Sequence, residues 1–329
     1  MSSKQEQSNR RLQIPPTFTS PPSGLALLHT PQAFRSDAAI DEMRSAALAG
    51  MCSSGDGSDG SCLSPYRNFC HIPFVPDANR FGKSPIGVVF YGGGLVDPRA
   101  YSPLAATLTE RYGLPVVIPV FGNDMAFNAS SCLSGRLSMA QADFDGVEKW
   151  VLVGHSFGGV AASVDLWLSL QGKGDVDIDS IAGLVMLAAD VQPTTGCGPI
   201  DFSRTTIPMA SVLASEDRVL NFTRFNINRG NFPANDTFYL NILGGNHGGF
   251  GDYDDTEFAA LFNQNDGIAT IPKAVQWDIS TAAIYHVASR AGLILPTASM
   301  PKETTPSYGP EVHIQFLCIA IFLILAFMC

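Results

Sequence analysis

The sequence predicts an α/β fold, a mostly parallel central sheet flanked by helices. Three observations predict it. Short apolar runs rich in Val and Ile alternate with stretches of helical spacing, the pattern of strands joined by helical crossovers. The strand candidates are apolar at nearly every position rather than at alternate ones, as strands covered on both faces must be. Of the 329 residues, 46% are hydrophobic and only 15% charged, enough apolar surface for one large core. Lys and Arg number 20 against 30 Asp and Glu, a formal charge of −10. No face basic enough to neutralise phosphates is available, so nucleic acid is excluded as a partner.

The elements follow in order. Ile86 to Tyr91 is a buried strand, stopped by Gly92, Gly93 and Gly94. Tyr101 to Tyr112 carries Leu104, Leu108 and Tyr112 on one helix face. Leu114 to Val120 is the next strand, and Leu137 to Trp150 reads as a whole or partial helix. Val151 to Val153 is a short strand that ends at Gly154. Gly158 to Leu170 is a helix of small apolar residues, able to lie close on a sheet. Strands at Ile181 to Ala188, Met209 to Ala214 and Thr237 to Leu243 precede a closing helix from Ile271 to Ala291.

These elements make a domain over residues 85–292, with residues 39–84 as its N-terminal extension. Residues 1–38, rich in Ser, Pro, Gln and Arg, read as a disordered arm; their shortage of acids also fits a transit peptide. Residues 293–312 are a polar, Pro-containing linker, and residues 313–329 an apolar tail without Asp, Glu, Lys or Arg. As a helix at ~1.5 Å per residue the tail falls a little short of a ~30 Å hydrocarbon core. The expectation is membrane association. It is met either by a tail anchor or by a GPI-type signal with Ala298 or Ser299 as attachment site, the latter requiring a secretory signal that is not visible. The alternative is a C-terminal helix buried in the protein. Cys52 and Cys62 flank a Ser/Gly/Asp loop that a disulfide between them could close. No two cysteines have the paired spacing of a zinc site, and there is no H-E-x-x-H, so no metal is expected. Gly82-Lys83-Ser84 has Asp77 where a P-loop needs Gly, and no cofactor is expected.

The chemistry lies past the strand ends, where open α/β sheets bind ligands. Gly154-His155-Ser156-Phe157-Gly158 is a G-x-S-x-G between a strand and a helix, the context of a nucleophile elbow. Ser156 is the nucleophile candidate: the sharp turn projects its hydroxyl at the top of the sheet, and glycines allow the close approach of backbone. A serine hydroxyl needs a base to take its proton. The histidines after it are His247, His286 and His313. His247 follows a strand within Gly244-Gly-Asn-His-Gly-Gly249, whereas His286 sits in a helical run, so His247 is the base candidate. Asp217 follows the preceding strand and is the candidate for the acid that orients the imidazole, with Glu216 and Asp190 as alternatives. The oxyanion hole needs two backbone N–H groups. Phe157, next to the nucleophile, supplies one, and Gly93 or Gly94 in the loop after the first central strand the other.

Three stretches carry a family resemblance: Tyr91 to Ala105, Val153 to Gly159, and Gly244 to Tyr253. In them the chain resembles the alpha/beta hydrolase superfamily, and within it the branch called alpha/beta hydrolase fold-5, over about residues 85–292. The resemblance implies Ser156 as nucleophile, Asp217 as acid and His247 as base, and hydrolysis of an ester or similar acyl bond through an acyl-enzyme. It names no substrate; the apolar tail points toward a lipid-like ester as well as small molecules. With little chain between Asp190 and Pro208, Asn123 to Ala140 is the better candidate for covering the site. Two further readings fit the same residues: a peptidase or amidase, and a catalytically silent fold used as a tethered binding module.

Overall fold

A computed structural model describes residues 71–121, 124–126, 132, 136–144, 146–191, 197–253, 265–293 and 295. The N-terminal arm, Cys52 and Cys62, nearly all of the polar linker, the apolar tail, and half of the segment expected to cover the site lie outside these residues. Among the described residues no helix is long and apolar enough to cross a membrane.

The core is a seven-stranded sheet: β1 (His71–Phe74), β2 (Ile86–Tyr91), β3 (Val116–Pro119), β4 (Lys149–His155), β5 (Ile181–Leu187), β6 (Met209–Ala214) and β7 (Thr237–Ile242). The strand order is β1-β3-β2-β4-β5-β6-β7. β1 pairs antiparallel with β3, Ile72 opposite Ile118, and every other pairing is parallel. β1 lies before the boundary at residue 85, so the sheet extends into the segment read as an extension. Its Pro73 lacks a ladder donor, which an edge strand tolerates.

The helices are α1 (Ala78–Phe81), α2 (Ser102–Tyr112), α3 (Leu137–Asp143), α4 (Phe157–Leu170), α5 (Phe222–Asn228) and α6 (Lys273–Ser289). α3 ends at Asp143, short of the predicted Trp150, which is instead a fully buried residue of β4. Gly87, opposite Trp150 in the β2–β4 register, leaves room for the indole; a Cβ there would overlap the ring.

Alternation along the strands places the helices. Leu152, Leu184 and Met186 share a buried cluster with Ala161, Val164 and Leu166 of α4 and with Leu137 and Ala140 of α3. Gly183, adjacent to Leu184 and so on the opposite face, leaves space for Val287 of α6. α4 and α6 therefore cover opposite faces, and α2 packs on α6. Non-glycine residues with left-handed φ stand just past three parallel strands: Leu95 (63°) after β2, Ser156 (51°) after β4 and Ala188 (46°) after β5. Each costs about 1–3 kcal/mol and persists only where the surroundings impose it.

Candidate active site

The β4–α4 turn is held by its glycines. A Cβ on Gly154 would strike the Gly158 carbonyl, one on Gly158 the carbonyls of Tyr91 and Gly92, and one on Gly159 the Ala189 side chain. Only glycines let strand, helix and neighbouring strands approach this closely. The crowding forces Ser156 to φ 51°, ψ −119°, with its N–H donating to the Leu187 carbonyl at 2.9 Å. Ser156 itself, just past the carboxyl end of β4, is half-buried.

Asp217 and His247 lie past the ends of the adjacent strands β6 and β7 and meet there. His247 Nδ1 and Asp217 Oδ2 are 2.9 Å apart, and both residues are buried. The other carboxylate oxygen, Oδ1, accepts the N–H groups of Val219 and Leu220, each at 2.8 Å. The two turns are also tied through the backbone: Glu216 N–H donates to the Gly245 carbonyl at 2.8 Å. Asp266 spans them as well, accepting from Arg218 N–H at 3.2 Å and Gly248 N–H at 2.8 Å. The His247 turn rests on Gln276 of α6, whose side-chain amide bonds both N–H and C=O of Asn246.

The alternative candidates lie apart from this pair. Glu216 accepts from the Ser215 hydroxyl at 3.0 Å. Asp190 accepts from Asn228 Nδ2 at 2.7 Å and Arg224 Nε at 3.3 Å, and burial raises its carboxyl above the usual range. His286 packs its ring on Phe238. Ser156 and His247 share no hydrogen bond in this conformation. Such bonds are often formed only with substrate in place.

The loop after β2 adds groups that no local pattern announces. Gly93 N–H donates to the Tyr101 hydroxyl at 2.7 Å, and that hydroxyl lies 2.9 Å from His155 Nδ1. His155 Nε2 lies 3.0 Å from the His247 carbonyl. Gly93 was one of two candidates for the second oxyanion donor; its N–H is committed to Tyr101. Gly94 lies against the Phe157 side chain. Burial pushes the Tyr101 hydroxyl well above its ordinary value. Burial, and secondarily the neighbouring His247, hold the His155 imidazole well below its own. A small open cleft of about 10 Å³, room for little more than a water molecule, adjoins the loop, lined by Val96, Pro98, Pro119, Phe121, Asp124 and Ala126 with the loop glycines. Among the described residues no group of three His, Cys, Asp or Glu side chains is placed to hold a metal ion.

The model of the alpha/beta hydrolase family matches residues 87–278. No curated protein matches the chain. Among solved structures, the chain is similar to an ester hydrolase from the metagenome of Lake Arreo, complexed with a derivative of bipyridine phosphonate (14% identity, 68% of this chain and 79% of that one, TM-score 0.46). It is also similar to carboxyl esterase 2 of the mycorrhizal fungus Tuber melanosporum (13% identity, 67% and 80%, TM-score 0.44). A third is Est1E from Butyrivibrio proteoclasticus with bound ferulic acid (14% identity, 58% and 90%, TM-score 0.42).

Proposed function

We propose, for a chain that belongs to the alpha/beta hydrolase family, that it is a serine hydrolase cleaving an acyl ester through an acyl-enzyme on Ser156. The observation that carries the reading is the buried Asp217–His247 hydrogen bond, set at the strand ends beside a serine in a strained strand-to-helix turn. In the reaction, Ser156 Oγ attacks the acyl carbon while His247 Nε2 takes its proton. Asp217 accepts the His247 Nδ1–H, which leaves Nε2 free to act as base and stabilises the imidazolium that forms. The N–H groups of Phe157 and Gly94 hold the oxyanion. His247 returns the proton to the leaving alcohol, and water repeats the sequence to release the acid.

The test is labelling of the full chain with a fluorophosphonate probe, on wild type and Ser156→Ala, with a p-nitrophenyl ester series alongside. Labelling and turnover that both disappear in the variant are expected. A folded wild type that takes no label overturns the reading. Residues 313–329, apolar and free of charged side chains, are proposed to attach the enzyme to a membrane. The expected result is a full chain that sediments with membranes and is released when that segment is deleted; equal partitioning of both forms overturns it.

A further inference from the structure

A chain of three buried hydrogen bonds runs beneath the site, and its direction follows from chemistry alone. The His247 carbonyl can only accept, so His155 Nε2 carries the proton. His155 is fully buried and neutral, so its Nδ1 is bare and must accept. The Tyr101 hydroxyl therefore donates to Nδ1 and, in turn, accepts from Gly93 N–H. Every donor and acceptor in the sequence Gly93 N–H, Tyr101 O–H, His155 ring, His247 C=O is used once, with no ambiguity of tautomer.

The positions of the ends give this chain its meaning. Gly93 belongs to the loop that carries Gly94, the second oxyanion donor in the proposed reaction. His155 is the residue before the nucleophile. His247 is the base, whose ring is fixed by Asp217 but whose backbone carbonyl is fixed by His155. Three groups that must act on one acyl carbon come from β2, β4 and β7, which are not all neighbours in the sheet. The packing is tight around the same path. Tyr101 stacks obliquely on Phe90 at 4.9 Å, and the His155 ring lies 4.8 Å from that of His247 and 5.5 Å from Phe250. A Cβ on Gly93 would come within 2.8 Å of the Tyr101 oxygen and 3.0 Å of His155 Nδ1, so any side chain there would displace these two hydrogen-bonded groups.

We propose that Tyr101 and His155 are positioning residues that set the oxyanion loop and the His247 base at a fixed separation around Ser156, through hydrogen bonds whose direction the His155 tautomer dictates. The inference rests on Ser156 and His247 acting as proposed above. Misplacement of reacting groups by about 1 Å can cost ~100-fold in rate, so the network is worth more to turnover than to substrate binding.

The test uses the full chain and three variants. Tyr101→Phe removes one oxygen and keeps the ring that packs on Phe90. His155→Leu removes both ring nitrogens, whereas His155→Gln retains one donor and one acceptor. Active sites are counted by fluorophosphonate titration, so that loss of folded protein does not enter the rate. The expected result is a kcat per titrated site ~10- to 100-fold lower in Tyr101→Phe and His155→Leu, with KM changed by less than about threefold, and partial recovery in His155→Gln. In 15N spectra of histidine-labelled wild type, one ring should hold a proton on Nε2, none on Nδ1, and keep that state as pH falls from 8 through 6. Variants with lower stability but unchanged kcat per titrated site, or a His155 ring protonated on Nδ1, overturn the inference alone. A wild type that takes no label overturns the function on which it rests, and the inference with it.

Discussion

At the scale of single residues, the acid candidates differ by what each carboxylate touches. Asp217 holds the base from one oxygen and two backbone N–H groups from the other, so it is locked in place. An amide in its position can still accept one bond, but the other group then points N–H donors at His247 or at the backbone. Asp217→Asn should lower kcat ~10³- to 10⁴-fold with little change in KM. Glu216→Gln, whose side chain accepts the Ser215 hydroxyl and makes no bond to His247, should stay within about twofold; steady-state kinetics on one p-nitrophenyl ester reads both. His155 makes a second prediction, on stability. Its pKa is lowered on folding, chiefly by burial, so below about pH 6.5 the unfolded chain binds a proton that the folded one refuses. The unfolded state thus gains as pH falls, and stability is lost on the acid side of 6.5 and is full above it. Thermal unfolding followed from pH 8 to 5.5 should show Tm falling in this window, with a smaller fall in His155→Gln, which has no proton to gain.

At the scale of elements, what is legible in the sequence is what burial writes locally. β2, β4 and β5 are apolar on both faces and stand out as runs; the glycines after β2 and β4 and the loop residues after β6 and β7 mark strand ends. The places of Ser156, Asp217 and His247 follow from those ends, because parallel strands deliver their next residues to one edge. β1 is not legible: four residues with a central proline carry no strand signal, and only pairing with β3 makes them one. α5 is too short for helical spacing to show, and Asn221 starts it by accepting the Arg224 N–H. The division of labour between Gly93 and Gly94 is equally hidden, since it depends on where Tyr101 lands after α2 packs. The same holds for Asp266, which joins the turns bearing Asp217 and His247 from a distant part of the chain. Asp266→Ala frees both turns, whereas Asp266→Asn retains an acceptor for only one. We expect kcat to fall ~10-fold in the first and less in the second, with the hydrogen exchange of Arg218 and Gly248 amides rising in the same order. Equal kcat in all three forms sinks the idea that Asp266 keeps the turns in register.

At the scale of the whole molecule, one covalent link reinforces the frame. Cys132, in the segment after β3, is bonded to Cys197, in the segment after β5. In the strand order β3 and β5 stand on either side of β2 and β4, so the bond brackets the two strands that carry the oxyanion loop and the nucleophile. Cys132 and Cys197 both pack against the cluster that includes Trp150, Leu152 and the α4 residues, so the link joins surface segments to the core rather than to each other alone. Sequence spacing does not single out this pair, because the two cysteines are 65 residues apart and meet only after the two strands β4 and β5 have been laid between them. A loop of that length constrains the unfolded chain by roughly 4 kcal/mol in the chain-entropy model, and measured values for disulfides centre on about 2–4 kcal/mol. Cys197→Ser should therefore lower the free energy of unfolding by about 2–4 kcal/mol, read from denaturant midpoints at constant slope. Reductant should bring the wild type to the same midpoint and leave the variant where it is. None of the hydrogen bonds that place Ser156, Asp217 and His247 involves Cys132 or Cys197, so kcat per titrated site should be unchanged well below the new midpoint. A loss of kcat with no loss of stability would mean that the bond shapes the site itself rather than the frame around it.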